Sequence, residues 1–135
     1  MDTTIHVFAG SFRDRDDACA HALDRWEPEP AQTATDDEYS AWEERNPTRQ
    51  LKADLGDPYL DHDFIEIIGD GKNFSRYDYL RRMLRNPDDI EGIRRSAGAE
   101  ANVLVLVFKD ALGGFEAHMR STPRITYCGE FFCSL

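Results

Sequence analysis

Four ionisable side chains stand together in Asp61-His62-Asp63-Phe64-Ile65-Glu66. On an extended strand Asp61 and Asp63 would share one face, and His62, Phe64 and Glu66 the other. A carboxylate pair of this kind could hold a divalent cation, and His62 with Glu66 could move a proton. One alternative function is therefore a small metal-dependent enzyme or ligand-binding domain built on Asp61, His62, Asp63 and Glu66. A working metal site, however, draws its ligands and their supporting partners from several elements, and this cluster is one contiguous segment. His6, His21 and His118 fall in segments with no ligand spacing. No phosphate-cradling glycine loop, nucleophile elbow or Cys-His arrangement is present in the sequence. The more economical reading leaves Asp61 and Asp63 at the end of a loop and gives Glu66 a structural partner. It needs neither a catalytic residue nor a bound metal or cofactor.

The elements that must position these residues are legible from periodicity. Phe64, Ile65, Ile67 and Ile68 form a short apolar run stopped by Gly69-Asp70-Gly71, which predicts a buried strand over 61–68. Glu66 lies inside that run. An unpaired charge there costs several kcal/mol, so an arginine of the following helix, Arg76 or Arg81, is the expected partner. Ahead of the cluster, residues 4–9 read as a strand ending at Gly10. A helix capped by Ser11 or Asp14 follows, with Cys19, Ala22, Leu23 and Trp26 on one apolar face and 27–30 ending it. An acid-rich helix over 36–45 carries Tyr39 and Trp42 inward and is broken by Asn46-Pro47. Thr48 caps a short helix that buries Leu51 and Leu55 and stops at Gly56.

Beyond the cluster, Ser75 caps a basic helix with Tyr77, Leu80 and Leu84 inward and Arg76, Arg81, Arg82 and Arg85 largely outward. Asn86-Pro87-Asp88-Asp89 opens another helix, with Ile90 and Ile93 buried and Gly98 as its stop. Val103-Leu104-Val105-Leu106-Val107-Phe108 is apolar at every position and predicts a central strand covered on both faces. A turn over 110–114 and two weaker strands, 115–119 and 124–128, complete the order and suggest a hairpin. Phe8-Ala9-Gly10-Ser11-Phe12 and Tyr127-Cys128-Gly129-Glu130-Phe131 share a pattern, as two neighbouring strands with similar ends would. The fold class is α+β: a mixed, mostly antiparallel sheet of four to five strands with helices packed against it, in a single domain over 1–135.

The chain has 135 residues, 41% of them hydrophobic, and a net charge of −10, which suits a folded globule rather than disorder. Residues 1–71 carry 18 Asp/Glu against 6 Lys/Arg, whereas 72–95 carry 7 Lys/Arg against 4 Asp/Glu. The acidic first half repels nucleic acid and would draw in a basic protein, while on charge alone solubility is the simpler reading. The arginines of 76–85 read as a solvated helix face in this setting rather than a phosphate patch. No stretch has the length of a membrane span, and Met1-Asp2-Thr3-Thr4 lacks the blocks of a secretion signal. Cys19, Cys128 and Cys133 are an odd number without metal spacing, so reduced thiols in a cytoplasm are expected. Five positions apart, Cys128 and Cys133 would face opposite ways on an unbroken strand.

The motifs taken together resemble the immunity protein twenty-two family of bacterial polymorphic-toxin systems. They are Phe8-Ala9-Gly10-Ser11-Phe12, then Leu51, Asp54-Leu55-Gly56 and Tyr59 leading into Asp61-His62-Asp63-Phe64 with Glu66, the strand over 102–108, and Tyr127-Cys128-Gly129-Glu130-Phe131. The resemblance implies a cytoplasmic, non-enzymatic protein, a monomer or weak homo-oligomer, that binds and neutralises a cognate toxin domain, often a nuclease. Such toxins tend to carry basic clefts, which an acidic surface can occupy. Asp57, Tyr59, Asp61, Asp63 and Glu66 are then the expected partner-binding residues, with Tyr59 as an aromatic anchor and the helix over 36–44 as the second surface.

Overall fold

β3 (Val103–Phe108) is the strand around which the chain is arranged. In the computed structural model, which describes residues 2–23, 30–45, 50–56 and 58–134, it lies between β1 (Asp2–Gly10) and β2 (Ile65–Gly69). β4 (Ile125–Ser134) pairs with the other edge of β1, so the order is β2-β3-β1-β4. Every pairing is antiparallel. Trp26, residues 27–29, the Asn46-Pro47 break, Thr48 and Asp57 lie outside the described residues.

Five helices flank the sheet: α1 (Arg15–Ala22), α2 (Asp36–Arg45), α3 (Gln50–Asp54), α4 (Arg76–Met83) and α5 (Asp89–Ala97). Asp14 caps α1 by accepting from the Asp17 amide at 2.8 Å, and Ser75 caps α4 by accepting from that of Asp78 at 3.0 Å. Val103, Val105 and Val107 pack with Phe8, Ile65 and Ile67 beneath Ala18, Ala22, Leu51 and Leu55. Leu104 and Leu106 pack with Ile5, Val7 and Ile68 beneath Tyr77, Leu80, Ile90 and Ile93, with Phe108 at the margin. The sheet is therefore sandwiched, α1 and α3 on one face and α4 and α5 on the other. Tyr39 and Trp42 of α2, expected inward, are half-buried and meet edge-on with ring centroids 5.4 Å apart. Among the described residues no helix is long and apolar enough to cross a membrane.

Three expectations fail for identifiable reasons. Residues 115–119 form no strand, and among the described residues the outer edge of β4 has no strand beside it: Met119 and Ala117 instead turn into the core and pack on the valine layer. The hairpin with 124–128 is lost with it. β4 carries a bulge where Val7 opposes Gly129 and Phe8 opposes Tyr127, leaving Cys128 without a counterpart. The extra residue reverses the alternation, so Cys128 and Cys133 both pack toward the leucine layer instead of facing apart. Gly129 occupies the bulge at φ +121°, a conformation open to glycine, so the likeness of the two glycine motifs is not a likeness of strand ends. Burial raises both thiols, that of Cys128 to about 11, which keeps them protonated and unreactive.

Val105→Asp and Leu106→Asp each put an unpaired carboxylate into a fully buried layer. A cost of roughly 4 kcal/mol or more is expected, comparable with the whole stability of a small domain, so neither variant should accumulate as folded soluble protein. Cooperative thermal unfolding of both variants would contradict this placement of β3.

Candidate functional site

The cluster that opened the sequence is divided by the structure. Asp61, His62 and Asp63 do not extend β2; His62–Phe64 form a single 3-10 turn before it. Asp61 caps that turn, accepting from the Asp63 amide at 3.0 Å, so its carboxylate serves the backbone rather than pairing with that of Asp63. The Asp63 carboxylate instead meets His62 Nε2 at 3.4 Å on the open surface. Phe64, expected in the core strand, is 42% exposed because the turn carries it off the sheet. Asp61, His62, Asp63 and Glu66 therefore do not converge, and the described residues contain no group of three or more His, Cys, Asp or Glu that could hold a metal ion.

What converges instead is aromatic. The Asp61 amide donates to the Ala111 carbonyl at 2.8 Å, tying the first turn to a second one, Lys109–Leu112, that follows β3. Tyr59 and Phe115 meet on that junction with ring centroids 5.8 Å apart, exposed by 54% and 66%. Gly113 makes this possible: at φ +61° it closes the turn, and a Cβ there would sit 2.6 Å from the Tyr59 ring. The chain around the pair carries exposed charges: Asp63 on the first turn, Lys109 and Asp110 on the second, and Glu116 next to Phe115, with Asp61 half-buried. Of the expected binding residues, the structure sets Tyr59 and Asp61 against the second turn, places Asp63 and Glu66 on one cavity beside Tyr79 of α4, and leaves Asp57 outside the described residues. Phe115 was missed because its alternation with Ala117 and Met119 mimics a strand.

Among the described residues Glu66 has no arginine partner. Its carboxylate accepts a short hydrogen bond from the Tyr79 hydroxyl. That bond is the main reason the Tyr79 phenol is pushed up to about 12. Arg76 is drawn away by Asp70, whose carboxylate accepts from both its amide and its guanidinium at 2.8 Å, and by the Ala101 carbonyl at 2.6 Å. The Arg76 amide above all holds the Asp70 carboxyl below its usual range. Arg76 is thus a latch between the end of β2 and the approach to β3, not an outward side chain.

A second polar group was not foreseen. His6 Nδ1 lies 2.9 Å from the Tyr127 hydroxyl, and Nε2 lies 3.3 Å from Glu130. Only the β1–β4 register, which sets His6 opposite Glu130, reveals it. Burial lowers the His6 pKa, opposed by Glu130. His21, packed on Phe12, is lowered by burial and by Arg124. The arrangement holds two neutral imidazoles inside the fold.

Two measurements follow from these contacts. Glu66→Ala should cost about 1–2 kcal/mol, the worth of a charge-assisted hydrogen bond, rather than the larger penalty of stranding an arginine. In a double-mutant cycle with Tyr79→Phe, most of that cost should appear as coupling; additive effects would show the two side chains to be independent. The histidines set a pH dependence. Unfolded histidine takes a proton near 6.5 and the native pair only at lower pH, so their contribution is complete above 6.5 and is lost as pH falls below it. The melting temperature should fall between about pH 7 and pH 5, and His6→Gln with His21→Gln should flatten that fall. An unchanged slope would place the titration elsewhere.

Comparison of the chain with protein-family models, with curated proteins and with solved structures finds no match. The family resemblance accordingly rests on the motifs alone.

Proposed function

We propose that this chain is an immunity protein that binds and neutralises a basic toxin domain, a nuclease in the simplest case, inside the cell that makes both. The observation that carries the reading is the exposed Tyr59–Phe115 pair at the junction of two turns that carry Asp61, Asp63 and Asp110, with Glu116 next to Phe115 in the chain. Water-exposed aromatic rings in contact are costly to maintain and mark interaction surfaces, where tyrosine and phenylalanine act as desolvated anchors. The carboxylates around them would steer a basic partner and reject nucleic acid. Such a surface inhibits by occupying a cleft and asks no catalysis of its own residues. The net charge of −10 and the motif resemblance support the same reading.

The test is co-purification with the toxin-like product of the neighbouring gene. Association should slow as salt rises, because salt screens the steering charges. Tyr59→Ala should weaken the complex by about tenfold or more. Asp61→Asn with Asp63→Asn should weaken it while leaving the melting temperature nearly unchanged, because asparagine also caps a turn. Normal protection of toxin-expressing cells by both variants would move the site to α2. Absence of a partner, together with a stoichiometric divalent metal in the pure protein, would replace the reading with the small-enzyme alternative.

A further inference from the structure

Glu66 is a half-buried carboxylate that has no counter-charge among the described residues. Among the described residues its hydrogen-bond partner is the Tyr79 hydroxyl, and no cation pairs with it. Arg76, at the start of the helix that carries Tyr79, is committed to Asp70 and Ala101, and Arg15, through Nε at 3.3 Å, to the Ile67 carbonyl. Two cavities meet at the Glu66–Tyr79 pair. One, of about 540 Å³, is bounded by Asp14, Asp70 and Phe74, with Arg15 as its cation. The other, of about 340 Å³, is bounded by Asp63, Phe64, Met83 and Phe108 and contains no cation. β2 is the edge strand beside them, so both are open to an approaching partner.

We infer that Glu66 is the receptor for an arginine side chain presented by a basic partner. A guanidinium suits the site better than an ammonium. It is weakly hydrated, pairs with a carboxylate through directed N–H donors, and stacks on aromatic faces such as those of Phe64 and Phe108. Its aliphatic stem would lie along Met83 and Ile65. Tyr79 keeps the carboxylate aimed, since a phenol that titrates only at about 12 remains a donor throughout the physiological range. Leaving Glu66 without an internal cation sacrifices some stability and reserves the charge for the complex. The inference rests on the proposal that the partner is basic, and it specifies which group of that partner is read.

The probe is N-acetylarginine methylamide, titrated into the full chain and followed by amide chemical shifts, with the citrulline analogue as its neutral isostere. Saturable shifts are expected at Ile65, Glu66, Ile67 and Tyr79 with the arginine compound, with about tenfold weaker binding of the citrulline compound. Glu66→Gln keeps an acceptor for Tyr79 and should keep the fold, and it should weaken arginine binding by a similar factor. Equal binding of the two compounds, unchanged arginine binding by Glu66→Gln, or no shifts at these positions would overturn the assignment. The same experiment separates the two proposals. Arginine binding at Glu66 with no toxin partner would uphold the receptor and sink the immunity reading. A toxin complex unaffected by Glu66→Gln, with no shifts from the arginine compound, would sink the receptor alone.

Discussion

The burial of β3 on both faces is the constraint from which the rest of this structure follows. A strand with no polar position cannot lie at an edge or face water, so it must be flanked by strands and covered by helices on both sides. β1 and β2 fill its two edges, α1 and α3 one face, α4 and α5 the other. β2 is thereby placed at the border of the sheet, with Glu66 beside α4 and the 61–64 turn at its mouth. The turn after β3 emerges at the same end, because β2 and β3 run antiparallel. That is why Tyr59 and Phe115, far apart in sequence, form one surface.

The polar groups near that surface divide their work by where their charges are satisfied. Asp70 is paired with Arg76, and one Asp61 oxygen is taken by the backbone of its own turn. Asp63 meets only an exposed histidine, and Glu66 only a phenol. The charges left for a partner are therefore Asp63 and Glu66, which border one cavity with Tyr79. An exposed pair such as His62–Asp63 adds little to stability, so its charges are free for binding.

The fold class was legible because its main determinants are local: the all-apolar run at 103–108, the capped amphipathic α4 and α5, and the glycine stops. The departures arise where partners are distant in sequence. Charge logic chose an arginine for Glu66, yet Arg76 starts α4 within reach of Asp70, while the phase of the helix delivers Tyr79 to the strand. The faces of Cys128 and Cys133 depended on a bulge set by the β1 register, which alternation within β4 cannot reveal. The apolar run from Phe64 to Ile68 suggests a strand that includes the 61–63 acids, but the Asp61 cap diverts the backbone into a turn, so the strand starts only at Ile65. Of the candidate site, Tyr59, Asp61 and Asp63 were legible from residue type, whereas Phe115 needed the pairing of two turns.

The most direct test of the account is amide hydrogen exchange of the chain alone and with the proposed basic partner, the product of the neighbouring gene. Protection confined to 58–66 and 110–116, with Tyr79 included, is the predicted footprint. Protection concentrated on α2 or along β4, with 58–66 and 110–116 unchanged, would contradict it.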